Sequence, residues 1–138
     1  MKQIQIQRKT NRIIKYFTEQ YNYTVDQAKM FVAVSAHETG FWRSSLCKNN
    51  KNYFGMKYAG IRRTTAIGER DGFACYVNID NSLKDFVWYL RYFGYKTDYG
   101  GDLWKFVWEM DENGYFEAGF QDYYNSVRDY YQKLYSNG

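Results

Sequence analysis

The most strongly apolar part of the chain is a helix predicted between Thr24 and Gly40. Thr24 followed by Gln27 has the spacing of a capping box, and Gly40 is placed as a C-terminal stop. Between these signals, apolar residues occur on almost every side of the helix: Ala28, Phe31, Val32, Ala33, Val34 and Ala36. A helix that is apolar all round is buried rather than lying on a surface. The sequence therefore predicts a central helix that ends in His37 and Glu38.

Other helices are predicted where apolar residues recur at helical spacing. The first covers residues 11–21, with Thr10 as its cap and with three inward-facing residues, Ile13, Ile14 and Phe17. Another follows the polar residues 80–82 and stops before Gly94. Its apolar positions repeat at i, i+3, i+4 and i+7, as Leu83, Phe86, Val87 and Leu90. Two more are predicted over residues 103–110 and 122–134, with residues 111–121 as the loop between them.

Residues 58–77 have a different pattern, which is typical of a small β-lobe. Arg70-Asp71-Gly72 contains the Asp-Gly pair that favours a tight hairpin turn. On either side stand β-branched, aromatic and other apolar residues, namely Thr64, Thr65 and Ile67, then Phe73, Cys75 and Val77. The sequence thus predicts an α+β fold that is mostly helical, with one hairpin lobe.

Length and charge limit the classes of function. The chain has 138 residues without repeats or low-complexity linkers, so we expect a single domain over residues 1–138. Its net charge is +4, but no cationic run exceeds two residues, so a nucleic-acid partner is not predicted. The positive balance favours a polyanionic surface such as a bacterial cell wall, and only weakly.

Cysteine and histidine usage argues against a metal site. One histidine and two cysteines without metal-type spacing do not suit zinc, so no cofactor is predicted. Cys47 and Cys75 are interpreted as free thiols, with a disulfide as the alternative. No run approaches the length of a membrane span.

The N-terminal residues lack the apolar stretch of a signal peptide. If the chain is complete, we expect it to bypass the usual secretion route, for example by waiting in the cytoplasm for a phage-type release. If the chain is trimmed, the missing signal carries no information.

Glu38 is the residue best suited to chemistry. A carboxyl group at the end of a buried helix loses solvation and also lies near the negative end of the helix dipole, so its pKa should rise. A carboxyl group that stays protonated can give the leaving oxygen of a glycosidic bond the proton that it needs. The alternative is that Glu38 is exposed in the last turn or paired with a Lys or Arg. For the neighbouring His37, a surface or packing position is favoured over an acid–base dyad.

Two adjacent segments resemble signatures of the bacterial glucosaminidase family, glycoside hydrolase family 73. The family's "Asn-Asn-Leu-Phe-Gly-Ile-Lys" is similar to Lys51-Asn52-Tyr53-Phe54-Gly55-Met56-Lys57. Just upstream, its "Glu-Ser-Gly-Trp-Gly-x-Ser" matches Glu38-Thr39-Gly40-Phe41-Trp42-Arg43-Ser44. The chain departs from these signatures at Lys51, at His37 and at the Phe41-Trp42 pair.

Two downstream segments extend the resemblance over residues 25–135. The family's "Phe-Arg-x-Tyr" and "Ser-x-x-Asp-His" stretch looks like the one that runs from Phe73 to Phe86. Its "Ala-Gly-Tyr-Ala-Thr-Asp" and "Tyr-Ala" block is similar to Asn113-Gly114-Tyr115 with Tyr123-Tyr124. The "Ala-Thr-Asp-Pro" that normally follows the tyrosine is missing here.

The resemblance implies a lysozyme-like fold, with the β-lobe above a cleft and Glu38 as general acid. It implies a second acidic residue in the lobe, for which Glu69 is the best match and Asp71 the next. Tyr115 matches a tyrosine that would orient the N-acetyl group or assist water. Contact with substrate is expected for residues in the matching blocks: Asn52, Phe54, Gly55, Lys57, Trp42 and Tyr76. For Phe54, a position in the core is an equal alternative.

The implied reaction is hydrolysis of β-1,4 bonds in peptidoglycan by a monomer, after N-acetylglucosamine, without a cofactor. A muramidase or lytic transglycosylase would use a similar glutamate, and is the closest alternative. A non-catalytic glycan-binding or structural module of a phage particle or secretion machine is the alternative of another class. Phage lysin and bacterial autolysin both remain open.

Overall fold

The computed structural model describes residues 2–135 and has an α+β architecture, as predicted. Within these residues six helices surround the core, and one short hairpin stands beside them. The elements are α1 (Gln3–Tyr21), α2 (Val25–Thr39), α3 (Ser45–Asn50), β1 (Gly68–Arg70), β2 (Phe73–Cys75), α4 (Ile79–Tyr92), α5 (Leu103–Glu112) and α6 (Phe120–Tyr135). Across the same residues, no helix combines the length and the apolar character that crossing a membrane requires.

Helix α2 is the centre of the structure and confirms the predicted buried helix. The Thr24 hydroxyl accepts a hydrogen bond from the Gln27 N–H at 3.1 Å, and Gly40 ends the helix with φ of 57°. Every residue from Met30 to Ala36 is buried. The helix packs chiefly against α6 and α1, so it has no solvent face along most of its length.

The reciprocal half of the expected capping box is not formed. The side chain of Gln27 does not return to Thr24, because its Oε1 accepts a hydrogen bond from the Tyr99 N–H at 3.0 Å. Gln27 is only 1% exposed. A residue predicted to act locally therefore joins the start of α2 to the loop that precedes α5.

Helix α1 begins eight residues earlier than predicted (Gln3 rather than position 11). Residues 3–10 contain neither glycine nor proline, and the Lys2 N–H donates to Gln5 Oε1 at 3.0 Å. Thr10 is therefore no cap but a buried helical residue whose hydroxyl donates to the Gln7 carbonyl at 2.9 Å. Its inward face is as expected, since Ile13 and Phe17 are buried.

The remaining helices are present, with different bounds. Helix α4 starts at Ile79 because the side chain of Asn78 caps it, accepting from the Asn81 N–H at 2.8 Å. Helices α5 and α6 both extend into the predicted 111–121 loop, which shortens to residues 113–119. The six-residue helix α3, which Ser44 caps, was not predicted because its sequence has no apolar periodicity.

The predicted hairpin turn is confirmed, although its strands are short. Asp71 and Gly72 have φ of 54° and 83°, the two positive values that a type I′ turn requires. The strands pair antiparallel with Glu69 opposite Ala74. Each strand has only three residues, so Thr64, Thr65 and Val77 lie outside the sheet.

Aromatic side chains fill the core where a typical protein would use leucine. The rings of Phe54 and Phe86 stack at 3.8 Å, and Phe31 meets Phe86 and Phe17 edge-on at 5.3 and 4.9 Å. Such pairs add about 0.5–1.5 kcal/mol each beyond the area that they bury. Much of the 22% aromatic content therefore has a structural explanation.

A buried ion pair fastens the segment before the hairpin to α4. Arg62 donates to both carboxylate oxygens of Asp85, at 2.7 and 3.3 Å, and the Tyr76 hydroxyl donates to the same carboxylate at 2.6 Å. The two charged side chains are 4% and 0% exposed. Removing one partner would leave a buried charge without compensation.

We expect Asp85→Ala to destabilise the protein by about 3–5 kcal/mol, the usual cost of breaking a buried pair. Asp80→Ala is the matched control, since the Arg12–Asp80 pair has side chains that are 53% and 54% exposed. That variant should lose less than about 1 kcal/mol. Urea unfolding monitored by circular dichroism measures both. Equal losses in the two variants would contradict the structural importance of the Arg62–Asp85 pair.

Candidate active site

Glu38 lies in the last turn of α2, half-buried, at the wall of a cleft of about 630 Å³. The cleft is formed by the end of α2, residues 55–62, part of α4 and the loop 113–119. Its lining combines charged, aromatic, aliphatic and glycine residues: His37, Glu38, Gly55, Met56, Lys57, Tyr58, Ala59, Ile61, Arg62, Phe73, Tyr89, Phe93, Gly114, Tyr115, Phe116, Glu117, Ala118 and Tyr123. The predicted acid therefore faces a space large enough for sugar rings.

The surroundings of Glu38 favour its protonated form. Burial raises the pKa of its carboxyl group, and a hydrogen bond from the Tyr123 hydroxyl to Oε2, at 2.6 Å, opposes part of that rise. Within residues 2–135, no Lys, Arg or His forms an ion pair with Glu38. The alternative of a fully exposed or salt-bridged glutamate does not fit these contacts.

Gly55 lies next to the Glu38 carboxyl group. Its φ of +64° is unfavourable for residues with a side chain. A Cβ atom at this position would stand 2.7 Å from Glu38 Oε1, closer than van der Waals contact allows. Glycine is therefore needed at position 55 for two reasons, backbone conformation and room for the carboxyl group.

Asn52 holds the turn that carries Gly55. Its Nδ2 donates to the carbonyls of Met56 and Ala74 at 2.8 and 3.0 Å, and its Oδ1 accepts from the N–H groups of Phe54 and Met56. The residue is fully buried, with both of its polar atoms bonded inside the protein. It shapes the cleft by holding this turn, and neither its Nδ2 nor its Oδ1 is free to contact substrate.

Tyr115 lines the cleft opposite the end of α2. Its hydroxyl donates to the carbonyl of Phe54, next to Gly55. Burial, and then the charge of Glu38, raise the pKa of the Tyr115 hydroxyl well above its usual value. Tyr115 therefore remains a neutral donor whose present partner is the backbone of the turn 52–56.

Tyr123 is the functional candidate that the sequence analysis did not single out. It is buried, stacks on Phe116 at 3.8 Å, and contacts the ring of His37 edge-on at 4.6 Å. The only advance signal was its place in the last block of the resemblance, because the α6 tyrosines otherwise look alike in spacing.

His37 lines the cleft but is occupied with packing. Its Nδ1 lies 2.7 Å from the Ser126 hydroxyl, and burial lowers the pKa of its imidazole. These contacts agree with the packing interpretation of His37.

Three residues that were expected to touch substrate lie in the core instead. Trp42 is 1% exposed, and its Nε1 donates to the Ser35 hydroxyl at 2.9 Å. Phe54 is stacked on Phe86, and Tyr76 is engaged with Asp85. None of the three lines the cleft. Like Asn52, these three residues support the cleft wall in this structure, and their contact with substrate stays a prediction.

The acidic residues of the hairpin are not brought to Glu38. Glu69 and Asp71 are both exposed, and neither lines the cleft. Lys57 does line it, as expected, and its ammonium lies 3.7 Å from Glu117, another exposed residue of the cleft. Nowhere along residues 2–135 do three His, Cys, Asp or Glu side chains gather as metal ligands would. Cys47 and Cys75 are free thiols.

Comparison with known protein families gives a match over most of the chain. The sequence model of the Glucosaminidase family, described as mannosyl-glycoprotein endo-beta-N-acetylglucosaminidase, matches residues 14–137. No curated protein and no solved structure shows significant similarity. Because the match covers most of the chain, this protein belongs to the glucosaminidase family, and that membership implies glycoside hydrolase activity on a glycan related to peptidoglycan.

We expect Gly55→Ala to impair activity more than stability. The positive φ should cost about 1–3 kcal/mol. The added methyl group would push the flexible end of Glu38 aside, and a misplaced acid can cost about 10²-fold in rate. Gly60→Ala is the control, because a Cβ there meets no atom within 4 Å and φ is not positive. Wild-type turnover of peptidoglycan by Gly55→Ala would contradict the close approach.

Tyr123→Phe should raise the pKa of Glu38. The hydrogen bond from Tyr123 stabilises the ionised carboxylate, so its loss favours the protonated form. An acid catalyst is lost as pH rises through its pKa, so the alkaline limb of the pH–rate profile should move to higher pH. Tyr124→Phe, which leaves Glu38 untouched, should keep the wild-type limb. A shift to lower pH in Tyr123→Phe would refute the assignment of this hydrogen bond.

Proposed function

We propose that this protein hydrolyses β-1,4 glycosidic bonds of peptidoglycan as an endo-β-N-acetylglucosaminidase, with Glu38 as the general acid. The observation that carries the proposal is a half-buried carboxyl group, unpaired by any cation among the described residues, at the wall of a sugar-sized cleft. Membership of the glucosaminidase family supplies the class of reaction. The proposed architecture is lysozyme-like, with the hairpin lobe beside this cleft.

The two oxygens of Glu38 have different surroundings, and this suggests how the proton is delivered. Oε2 accepts the hydrogen bond of Tyr123, whereas Oε1 lies on the side of Gly55 where a side chain would otherwise stand. In the proposed reaction Oε1 carries the proton and gives it to the glycosidic oxygen as the bond breaks. The leaving sugar departs as an alcohol, and positive charge develops on the other ring.

Water must then reach the anomeric carbon, and a second group has to activate it or stabilise the charge. We propose Glu69 for this role on the strength of its place in the lobe. Glu69, however, lies outside the cleft lining. Glu117 is therefore the alternative, because it lines the cleft and its side chain is 94% exposed. Tyr115, whose hydroxyl donates to the carbonyl of Phe54, is proposed to orient the N-acetyl group.

Glu38→Gln should lower turnover of purified peptidoglycan by about 10²–10⁴-fold, the usual contribution of a general acid. The fold should survive. Because burial raises the pKa of Glu38, ionisation as pH rises destabilises the folded wild type, and the neutral amide avoids this. The melting temperature of the variant should therefore match or exceed that of wild type at pH 7, with a smaller difference at pH 4.

The same assay includes Glu19→Gln, an exposed α1 control, together with Glu69→Gln and Glu117→Gln. The second catalytic group is the one whose loss lowers kcat more than it raises KM. Mass spectrometry of reducing ends distinguishes cleavage after N-acetylglucosamine from cleavage after N-acetylmuramic acid. Full activity in a folded Glu38→Gln variant would refute the general acid, and failure of wild type to release any product would favour the non-catalytic module.

A further inference from the structure

A cationic and aromatic groove lies beside the cleft, on the outer side of α4. It has a volume of about 370 Å³ and is lined by Arg62, Arg63, Trp88, Arg91 and Tyr92. Arg62 lines both this groove and the cleft that contains Glu38. The two depressions therefore meet at Arg62, and a ligand lying in the cleft could send a branch into the groove. We call this surface the arginine groove.

The arginine groove is built from residues of α4 and from two residues, Arg62 and Arg63, of the segment before the hairpin. Lys84, Trp88 and Arg91 stand at i, i+4 and i+7 on α4, so they share a face. Arg63 comes from the segment before the hairpin, and its guanidinium lies 4.9 Å from the centre of the Trp88 ring. Lys84 approaches the same ring at 5.6 Å. Trp88 thus holds two cations in place at the groove by cation–π contact.

Apart from Arg62, the cations at the groove have no carboxylate partner within the described residues. Over residues 2–135, no carboxylate lies within 4.0 Å of Arg63, Lys84 or Arg91. Arg91 contacts an aromatic neighbour, with its guanidinium 5.0 Å from the centre of the Tyr21 ring. The nearby acids are otherwise engaged, since Asp85 pairs with Arg62 and Asp80 with Arg12. The groove therefore offers cationic groups without an internal partner.

We infer that the arginine groove binds a carboxylate of the peptide that branches from the glycan strand in the cleft. This inference rests on the proposed function, and it extends the substrate from the sugar backbone to its anionic side chain. Guanidinium groups bind carboxylates through paired N–H donors, and the rings of Trp88 and Tyr92 give an apolar surface for the methyl groups of a short peptide.

Position favours the peptide over a phosphodiester polymer attached to the wall. Peptides branch from a peptidoglycan strand at regular, close intervals, so a strand lying in the cleft would carry at least one of them close to the cleft. A phosphodiester polymer joins the strand only at rare linkage points. A groove that adjoins the cleft directly is therefore better placed for the peptide carboxylate than for the phosphate.

The experiment measures binding of the full chain to purified sacculi by co-sedimentation, in the Glu38→Gln background so that the sacculi stay intact. The test variant adds Arg63→Gln and Arg91→Gln. A matched control adds Arg43→Gln and Lys133→Gln, which remove the same charge and line neither the cleft nor the groove. Three kinds of sacculi are compared: stripped of phosphodiester polymers, stripped and then amidated at their carboxylates, and unstripped. Thermal melting verifies that each variant is folded.

On stripped sacculi the test variant should bind about tenfold more weakly than its parent, from the loss of two exposed charge pairs, while the control binds as the parent does. Amidation should weaken the parent to a similar degree and remove its difference from the test variant. The inference is overturned if the test variant keeps parental affinity for stripped sacculi, if the control falls equally, or if the loss occurs only on unstripped sacculi, which would identify phosphate as the ligand.

Failure of the proposed hydrolysis is distinguishable from failure of this inference. Binding is measured without cleavage, so a wild-type chain that shows the expected carboxylate dependence but releases no reducing ends would refute the hydrolase and retain the groove. A chain that cleaves sacculi without any contribution from Arg63 and Arg91 would do the reverse.

Discussion

The cost of placing a carboxyl group at the end of a largely buried helix governs this structure. Helix α2 is surrounded by the other elements, so Glu38 has little water to stabilise its charge. No cation from residues 2–135 pairs with this carboxyl group, although such a pair would keep it ionised. The protein offers one neutral donor, Tyr123, and a glycine that leaves the second oxygen open. The remainder of the fold holds these neighbours in place.

The fold supplies this support largely through backbone groups. Asn52 bonds to both the turn that carries Gly55 and to β2, while Tyr115 bonds to the carbonyl of Phe54. A short loop without regular secondary structure is thereby held by a network of buried hydrogen bonds. Several residues of the family signature thus stabilise the geometry around the acid, and Gly55, Met56 and Lys57 of the segment 51–57 line the cleft.

Local signals in the sequence predicted what local physics decides. The cap and stop of α2, its apolar surface and the Asp-Gly turn all act within a few residues, and all are present. The start of α1 was missed because helix formers continue upstream without a breaking residue. Tyr123 could not be chosen because the Glu38–Tyr123 contact joins positions far apart in a chain with sixteen tyrosines. Trp42 and Tyr76 look like typical sugar-binding residues, and only their long-range packing shows that they are buried.

The bonding of the hairpin has a mechanical consequence. Strand β2 is joined to the turn beneath it by the Ala74 N–H to the Met56 carbonyl at 3.0 Å, and by Asn52 to the Ala74 carbonyl. Just beyond β2, the Tyr76 N–H donates to the Asn50 carbonyl at 2.9 Å. Because these hydrogen bonds join the hairpin to residues 50–56, the hairpin is not free to move as a separate unit. Moving it away from the helices would displace Gly55 as well. The width of the cleft is therefore fixed when the chain folds. A polymer has to bind along the length of the cleft, because the hairpin does not close over it.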